Sequence, residues 1–95
     1  MIEFNTFERG DKTYTYLKVE MGKAPFLLVK GQKGYIMCGY MNLEAATKLG
    51  DLGVRVSGVS DLNTVLESKV AGCTPAAKEA GIEEGDRVSD IIHLI

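Results

Sequence analysis

The side chains of this 95-residue chain best suited to chemistry are two cysteines and one histidine. Cys38 lies near the end of an apolar run, Tyr35–Met41, just before a helix start at Asn42. A helix N-terminus stabilises a thiolate, so Cys38 is the candidate catalytic nucleophile. A nucleophile also needs a base, and His93 is the sole histidine. No triad assembles from these residues, and the alternative is that Cys38 is a small buried apolar side chain.

Cys73 has a similar setting, because Thr74-Pro75 directly after it is a sharp helix start. Two thiols at two strand-to-helix corners would make a redox pair if they met in space. The sequence has no C-x-x-C spacing, and the alternative is two unrelated buried thiols. A zinc site is not indicated, since Cys38, Cys73 and His93 make at most three ligands without paired spacing. His93 itself is expected to be exposed.

The predicted ligand-binding surface is the corner where Cys38 precedes a helix, together with the similar corner at Cys73. Its residues are Gly39, Tyr40, Asn42, Cys73 and Thr74, beside Cys38. Because helix N-termini favour negative charge, a small anionic ligand is the expected small-molecule partner. The segment Lys30–Gly34, KGQKG, is interpreted as a hairpin turn, because a P-loop would continue through G-K-[ST] into a helix. No metal, nucleotide or other cofactor is indicated.

Composition and charge narrow the class of protein. The chain is 45% apolar and 25% charged, as expected for one globular domain spanning residues 1–95. A net charge of −2 without a clustered basic surface argues against nucleic acid or an anionic membrane as partner. No segment has the length of a membrane span and the start lacks a signal pattern, so a cytoplasmic location is expected.

The pattern of apolar residues predicts strands first and helices later. Four strands with hairpin connections are predicted at Met1–Glu8, Lys12–Glu20, Phe26–Val29 and Tyr35–Met41, the last two as central strands covered on both faces. Further on, the pattern predicts a helix from Asn42 that ends at a glycine cap, Gly53, then a strand Val54–Val59 and a brief helix after Ser60 or Asp61. It then predicts a strand Ser68–Gly72, a helix Ala76–Ala80 and a last helix from Gly85-Asp86 to Ile95. This order predicts an α+β fold with a mixed, mostly antiparallel sheet of five to six strands and three to four short helices mainly on one face.

The C-terminal segment DIIHLI is strongly apolar. In an α-helix, Ile91, Ile92, Leu94 and Ile95 cannot all face one core of a small domain. The exposed remainder predicts self-association as a homodimer or higher homo-oligomer.

Residues 68–91, SKVAGCTPAAKEAGIEEGDRVSDI, are similar to the second half of a PDZ domain. The resemblance implies a module that binds peptides by strand addition. PDZ domains continue with a further helix and strand, whereas only a short segment from Val88 remains here.

A second resemblance covers about the last 70 residues. VKGQKGYIMCGYMNLEAATKL, VRVSGV and TPAAKEAGIEEG, in that order, resemble the YunC-like family, a domain of unknown function in small bacterial and archaeal proteins. The most specific piece is Gly34–Gly39, GYIMCG, followed by Thr74–Gly85. The resemblance implies a compact α+β domain with no assigned activity, cofactor or catalytic residues.

These observations together predict a self-associating domain that binds a ligand or another protein. Two alternatives stay open at this point. One is an enzyme or redox protein that depends on Cys38, and the other is a PDZ-like peptide-binding module.

Overall fold

A computed structural model describes every residue, Met1–Ile95. The strands are β1 (Ile2–Arg9), β2 (Lys12–Glu20), β3 (Pro25–Lys30), β4 (Gly34–Met37), β5 (Leu52–Arg55) and β6 (Gly72–Cys73). The helices are α1 (Leu43–Leu49), α2 (Leu62–Glu67), α3 (Pro75–Glu79) and α4 (Val88–Ile91), with a closing 3₁₀ turn at Ile92–Leu94. The predicted α+β fold is confirmed. None of these helices has the length and apolar character needed to cross a bilayer.

The strand order in the sheet is the order in the chain, β1-β2-β3-β4-β5-β6. Hairpin links make β1 to β4 antiparallel, and β5 to β6 is antiparallel as well. The connection through α1 makes β4 and β5 parallel, as a crossover requires. The carboxyl ends of β4 and β5 therefore lie at the same edge of the sheet.

One face of the sheet carries the main core. A row of buried side chains crosses five strands, each paired with the next: Tyr16, Val29, Ile36, Val54 and Cys73. Val65 of α2 and the α4 residues Val88 and Ile91 belong to the same cluster. The helices thus cover mainly this face, because period-2 alternation sends the apolar row to one side.

The opposite face is covered at one end alone. There α1 packs over β4 and β5, and Ala46 meets Met37 beside Gly53, where an added Cβ would be 3.3 Å from the Met37 methyl group. No helix lies over β1 to β3 on this side. Consequently β4 is covered on both faces, whereas the same expectation for Phe26–Val29 is wrong, since Phe26 and Leu28 are half-buried.

Several predicted boundaries shift. α1 ends at Leu49 with Gly50 as its left-handed cap (φ 75°), not at Gly53, because Leu52 already opens β5. The run predicted as Tyr35–Met41 leaves the sheet after Met37. The two later strands lie at Leu52–Arg55 and Gly72–Cys73 instead of Val54–Val59 and Ser68–Gly72. The helix starts at Asn42, Asp61 and Thr74 are confirmed as N-caps.

The C-terminal segment corrects a further prediction. Ile91, Ile92 and Ile95 are 5%, 2% and 2% exposed, so the expected exposed apolar remainder there is wrong. The predicted single helix is instead four residues of α4 followed by a 3₁₀ turn, whose tighter winding changes the directions of the side chains. His93 is exposed as expected.

Backbone contacts fix that segment to the first hairpins. The carbonyl oxygen of Ile95 accepts hydrogen bonds from the N–H groups of Lys33 (2.5 Å) and Gly34 (2.8 Å). The Tyr14 hydroxyl donates to the Ile92 carbonyl at 3.1 Å. Gly31 is required at its position, because a Cβ there would lie 2.6 Å from the Ile95 backbone.

Candidate ligand-binding cleft

A cleft of about 430 Å³ opens at the edge where β4 and β5 end. Three segments form its walls: Lys23–Pro25 before and at the start of β3, Cys38–Tyr40 after β4, and Ser57–Ser60 after β5. Loops that follow the carboxyl ends of neighbouring parallel strands are the usual place for ligands in sheets with crossover helices. The parallel pair β4 and β5 therefore positions two of the three walls.

Cys38 lies in the wall of this cleft and is 4% exposed. Its sulfur accepts a hydrogen bond from the Leu27 backbone N–H at 3.3 Å. Its carbonyl accepts from the Met41 N–H at 3.2 Å, which closes the turn between β4 and α1. The thiol is thus held by the neighbouring strand β3, and the side chain packs in the hydrophobic core.

Tyr40 forms the rim. Its hydroxyl donates to the Ala24 carbonyl at 3.0 Å, and its ring centre lies 6.5 Å from that of Phe26. The side chain remains 51% exposed. Tyr40 therefore ties two walls together and offers an aromatic surface to solvent.

The cleft combines a mostly apolar surface with several hydrogen-bond donors. Lys23 supplies one positive charge, and none of the ten residues of the lining is a carboxylate. Backbone N–H groups in the two later walls donate to no protein acceptor; they belong to Gly39, Tyr40, Ser57, Gly58 and Val59. Ser57 and Ser60 add two hydroxyl groups. Such a lining complements a ligand group rich in acceptor oxygens.

Asp61, the residue that follows the third wall in the sequence, is hydrogen-bonded within helix α2. Its carboxylate accepts the Thr64 N–H at 2.9 Å as the N-cap of α2, and hydrogen bonds from Thr64 lower the pKa of this carboxyl group. Thr64 Oγ1 in turn accepts the N–H groups of Ser60 and Asp61 at 2.9 Å. This capping box orders the wall Ser57–Ser60 where it enters α2.

Asn42 serves α1 and does not line the cleft. Its side-chain oxygen accepts the N–H groups of Glu44 (2.8 Å) and Ala45 (3.4 Å). Three residues, Gly39 to Met41, separate Cys38 from this cap.

The structure does not bring Cys73 and Thr74 to the cleft. The Cys73 sulfur lies 3.8 Å from the Ile82 carbonyl, and burial raises the pKa of this thiol. Thr74 is 1% exposed, and its hydroxyl donates to the Asp51 carbonyl at 2.7 Å while accepting the N–H groups of Gly53 and Ala77. Both residues are therefore occupied by packing and hydrogen bonding within the protein.

The two thiols are also far from each other. Cys73 pairs with Val54, which pairs with Ile36, two residues before Cys38. Two strand spacings and two residues place the Cα atoms roughly 12 Å apart. Both cysteines are free, and this separation is too long for a disulfide without backbone movement.

His93 lies at the other end of the sheet. Its carbonyl accepts a hydrogen bond from the Lys12 ammonium group, whereas Cys38 contacts Leu27, whose partner in β2 is Lys18. Six residues of β2, roughly 20 Å, separate these two points. No imidazole therefore lies beside the Cys38 thiol.

Comparison with known proteins identifies the family of this chain. Residues 37–95 match the Domain of unknown function DUF1805. The chain belongs to the DUF1805 family. It is 32% identical to the uncharacterized protein YunC of Bacillus subtilis (strain 168), over 76% of this chain and 75% of that protein. The crystal structure of a protein of unknown function, TA1206 from Thermoplasma acidophilum, superposes with a TM-score of 0.95 at 42% identity and covers 98% of this chain and 91% of its own.

The DUF1805 match confirms the resemblance to YunC-like proteins and includes two walls of the cleft. It begins at Met37, so Cys38–Tyr40 and Ser57–Ser60 fall inside it and Lys23–Pro25 outside. In the segment similar to PDZ domains, α3 is followed by the short α4 and a 3₁₀ turn, with no further strand.

Sequence reasoning missed Lys23 and the loop Ser57–Ser60. The signal for the loop was present, because a helix between two adjacent strands implies a parallel pair whose carboxyl ends share an edge. Lys23 carried no such signal. It reaches the cleft because β3 lies next to β4 and begins at the edge where β4 ends.

Proposed function

We propose that this DUF1805 domain binds a small ligand through an anionic group in the cleft between Lys23–Pro25, Cys38–Tyr40 and Ser57–Ser60. The observation that carries the proposal is the composition of the lining, which has one lysine, unpaired backbone N–H groups and no carboxylate. An anion in such a lining gains charge-assisted hydrogen bonds and meets no like charge.

The size and shape of the cleft favour a small ligand. Its volume of about 430 Å³ falls within the range typical of small-molecule sites. Tyr40 and Pro25 offer apolar surface beside the donors, so a ligand with an anionic end and a small apolar or aromatic body fits both parts.

A chemical role for Cys38 is the competing function. Cys38 is one of the residues that line the same cleft, although its side chain belongs to the hydrophobic core. The lining holds no imidazole or carboxylate to act as its base. Binding is therefore the function that the lining supports best, and reactivity of the thiol is tested separately below.

The proposal is tested with phenyl phosphate as probe and phenol as the matched neutral compound, followed by amide chemical shifts in solution NMR. We expect phenyl phosphate to shift the amides of Gly39, Tyr40 and the loop Ser57–Ser60, and phenol to shift them far less. Lys23→Gln should weaken the binding of phenyl phosphate roughly fivefold, since one charge-assisted hydrogen bond is lost. Lys33→Gln, which changes an exposed lysine at the opposite edge of the sheet, is the control and should leave binding unchanged.

Equal shifts from phenol and phenyl phosphate would refute the anionic part of the proposal. Shifts spread over surface lysines, or identical losses in the Lys23 and Lys33 variants, would refute the site itself.

A further inference from the structure

The free edge of β1 has an unusual composition for an exposed strand. β1 pairs with β2 on one side and with no strand on the other. It is eight residues long, it pairs in unbroken register, and it contains neither proline nor lysine. Its charged residues are Glu3, Glu8 and Arg9, and the last two lie at the end next to the hairpin turn. Natural edge strands are normally protected by proline or lysine, by bulges or by shortness, because unpaired backbone groups attract other strands.

The phase of hydrogen bonding identifies which backbone groups of β1 face outward. Met1 lies opposite Glu20, and the Glu20 N–H donates to the Met1 carbonyl at 3.0 Å. Because hydrogen-bonded and non-hydrogen-bonded pairs alternate in an antiparallel ladder, the odd-numbered residues of β1 bond to β2. The even-numbered ones present their N–H and C=O groups to the free edge: Ile2, Phe4, Thr6 and Glu8.

The exposed apolar side chains coincide with that edge. Ile2 and Phe4 are 69% and 66% exposed, and both project to the face that no helix covers over β1 to β3. Phe4 pairs with Leu17, which pairs with Leu28, so an apolar row runs from the free edge into the sheet. A partner strand that pairs with β1 would extend this row.

We propose that a second copy of this chain pairs with β1 through its own β1, antiparallel about a two-fold axis at Phe4, to form a continuous twelve-stranded sheet. This register uses the outward groups of Ile2, Phe4 and Thr6 in both copies and makes about six backbone hydrogen bonds. Across the axis, Phe4 faces Phe4 of the second copy and Met1 faces Phe7, which are apolar pairs. Ile2 faces Thr6, both β-branched, and Glu3 faces Asn5, both polar.

Other two-fold registers fit less well. Centred on Asn5, the pairing places Glu8 against Ile2 and Glu3 against Phe7. Centred on Glu3, it brings two like charges together on the axis, which destabilises a cross-strand pair. Centred on Thr6, it gains an ion pair between Glu3 and Arg9 but places Glu8 against Phe4 and leaves Ile2 without a partner residue. Self-complementarity of side chains thus selects a second copy in one register.

Cysteine cross-linking tests the register directly. In the Phe4-centred pairing, the two Phe4 Cα atoms lie about 5.5 Å apart, within disulfide range, while the two Thr6 Cα atoms lie four residues apart, about 13 Å. Under mild oxidation, we expect Phe4→Cys to form a covalent dimer and Thr6→Cys to stay monomeric on a non-reducing gel. The reverse outcome would overturn this register, and equal cross-linking of both variants, or none, would overturn the interface.

Analytical ultracentrifugation of the wild-type protein and of variants without an added cysteine measures dimer formation independently. The edge contact is smaller than a standard interface of about 800 Å² per partner, so we expect a dimer that dissociates at roughly micromolar concentration. Phe4→Lys should abolish it, because two ammonium groups would meet on the axis. Leu49→Lys, at an equally exposed apolar residue of α1, is the control and should retain the dimer.

Two results contradict the proposal. One is a wild-type chain that is monomeric at all concentrations up to about 1 mM. The other is a dimer that survives Phe4→Lys while the variant's NMR spectrum shows an intact fold.

Discussion

A cysteine precedes a capped helix twice in this chain, and the two corners differ in how much chain lies between thiol and cap. After Cys73 the cap Thr74 follows at once, and its hydroxyl makes three hydrogen bonds inside the protein. After Cys38 three residues intervene before Asn42, an exposed cap that bonds to its own helix alone. The corner after Cys73 is closed by its own side chains, whereas the corner after Cys38 leaves Gly39 and Tyr40 to form the wall of a cleft.

The comparison shows that a similar pattern of strand, cysteine and cap can build either a packed joint or the wall of an open cleft. Where the cap belongs to the core, the Thr74 N–H and hydroxyl are both bonded to groups within the chain. Where the cap stands in solvent, the residues before it keep N–H groups that donate to no protein acceptor. The three residues between Cys38 and Asn42 thus provide cleft-lining positions that the corner after Cys73 lacks.

The largest expected difference between the two corners is in stability. Thr74→Val keeps the shape of the side chain but leaves buried groups of Asp51, Gly53 and Ala77 without their partner, so we expect a loss of about 3 kcal/mol in the free energy of unfolding. Asn42→Ala at the exposed cap should cost about 1 kcal/mol. Urea denaturation of both variants measures the difference. Equal losses would show that the two corners are built alike.

The second difference concerns the reactivity of the thiols. In the native protein we expect iodoacetamide to modify both thiols slowly, since Cys38 and Cys73 are only 4% and 8% exposed. We expect Cys38 to react faster of the two, because burial raises the pKa of the Cys73 thiol. Peptide mass spectrometry at a series of pH values separates the two rates. Modification of Cys73 first would contradict the comparison, and rapid reaction of Cys38 near neutral pH would favour the enzyme or redox alternative.

The smallest expected effect is a loss of folding stability at alkaline pH, and it concerns Asp51, whose carbonyl is bonded to Thr74 at the closed corner. Tyr35 donates to the Asp51 carboxylate at 2.8 Å, and burial together with this hydrogen bond raises the pKa of Tyr35 to about 12. Because the folded pKa lies above the ordinary value of 10, this stabilisation is complete below pH 10 and is lost as pH rises from 10 to 12. Solvent screening at the half-buried ring leaves about 1 kcal/mol.

Tyr35→Phe should therefore be less stable than the wild-type protein at pH 8 and should lose less stability between pH 10 and 12. Thermal unfolding over that range measures the change. Parallel stability curves for the two proteins would show that Tyr35 contributes nothing to the alkaline transition.

Sequence patterns predicted the elements well where local chemistry decides them. The hairpin turn at Gly10, which has φ of 64°, and the caps Asn42 and Thr74 each depend on a few neighbouring residues. The end of α1 was misplaced because Leu52 fits the helical spacing and also suits a strand, and pairing with Gly34 decides in favour of the strand.

The site depended on contacts that no local pattern contains. Cys38, Gly39 and Tyr40 were selected from the sequence and line the cleft, and their roles remain predictions. The other predicted site residues, Asn42, Cys73 and Thr74, were chosen for their helix starts, and the direction of their side chains follows from packing that the sequence does not reveal.

The identity of sheet order and chain order also bears on how fast this domain folds. Each strand pairs with the one before it, so every ladder closes a short loop or a single crossover, and closure entropy stays small. The bonds that dock the C-terminal turn are exceptions: those from Tyr14 to Ile92 and from Lys12 to His93 span 78 and 81 positions, and those from Lys33 and Gly34 to Ile95 are long-range as well. We expect the sheet to assemble early and docking of the last turn to follow as the slow step, with hydrogen exchange at Lys33 and Gly34 reporting its completion.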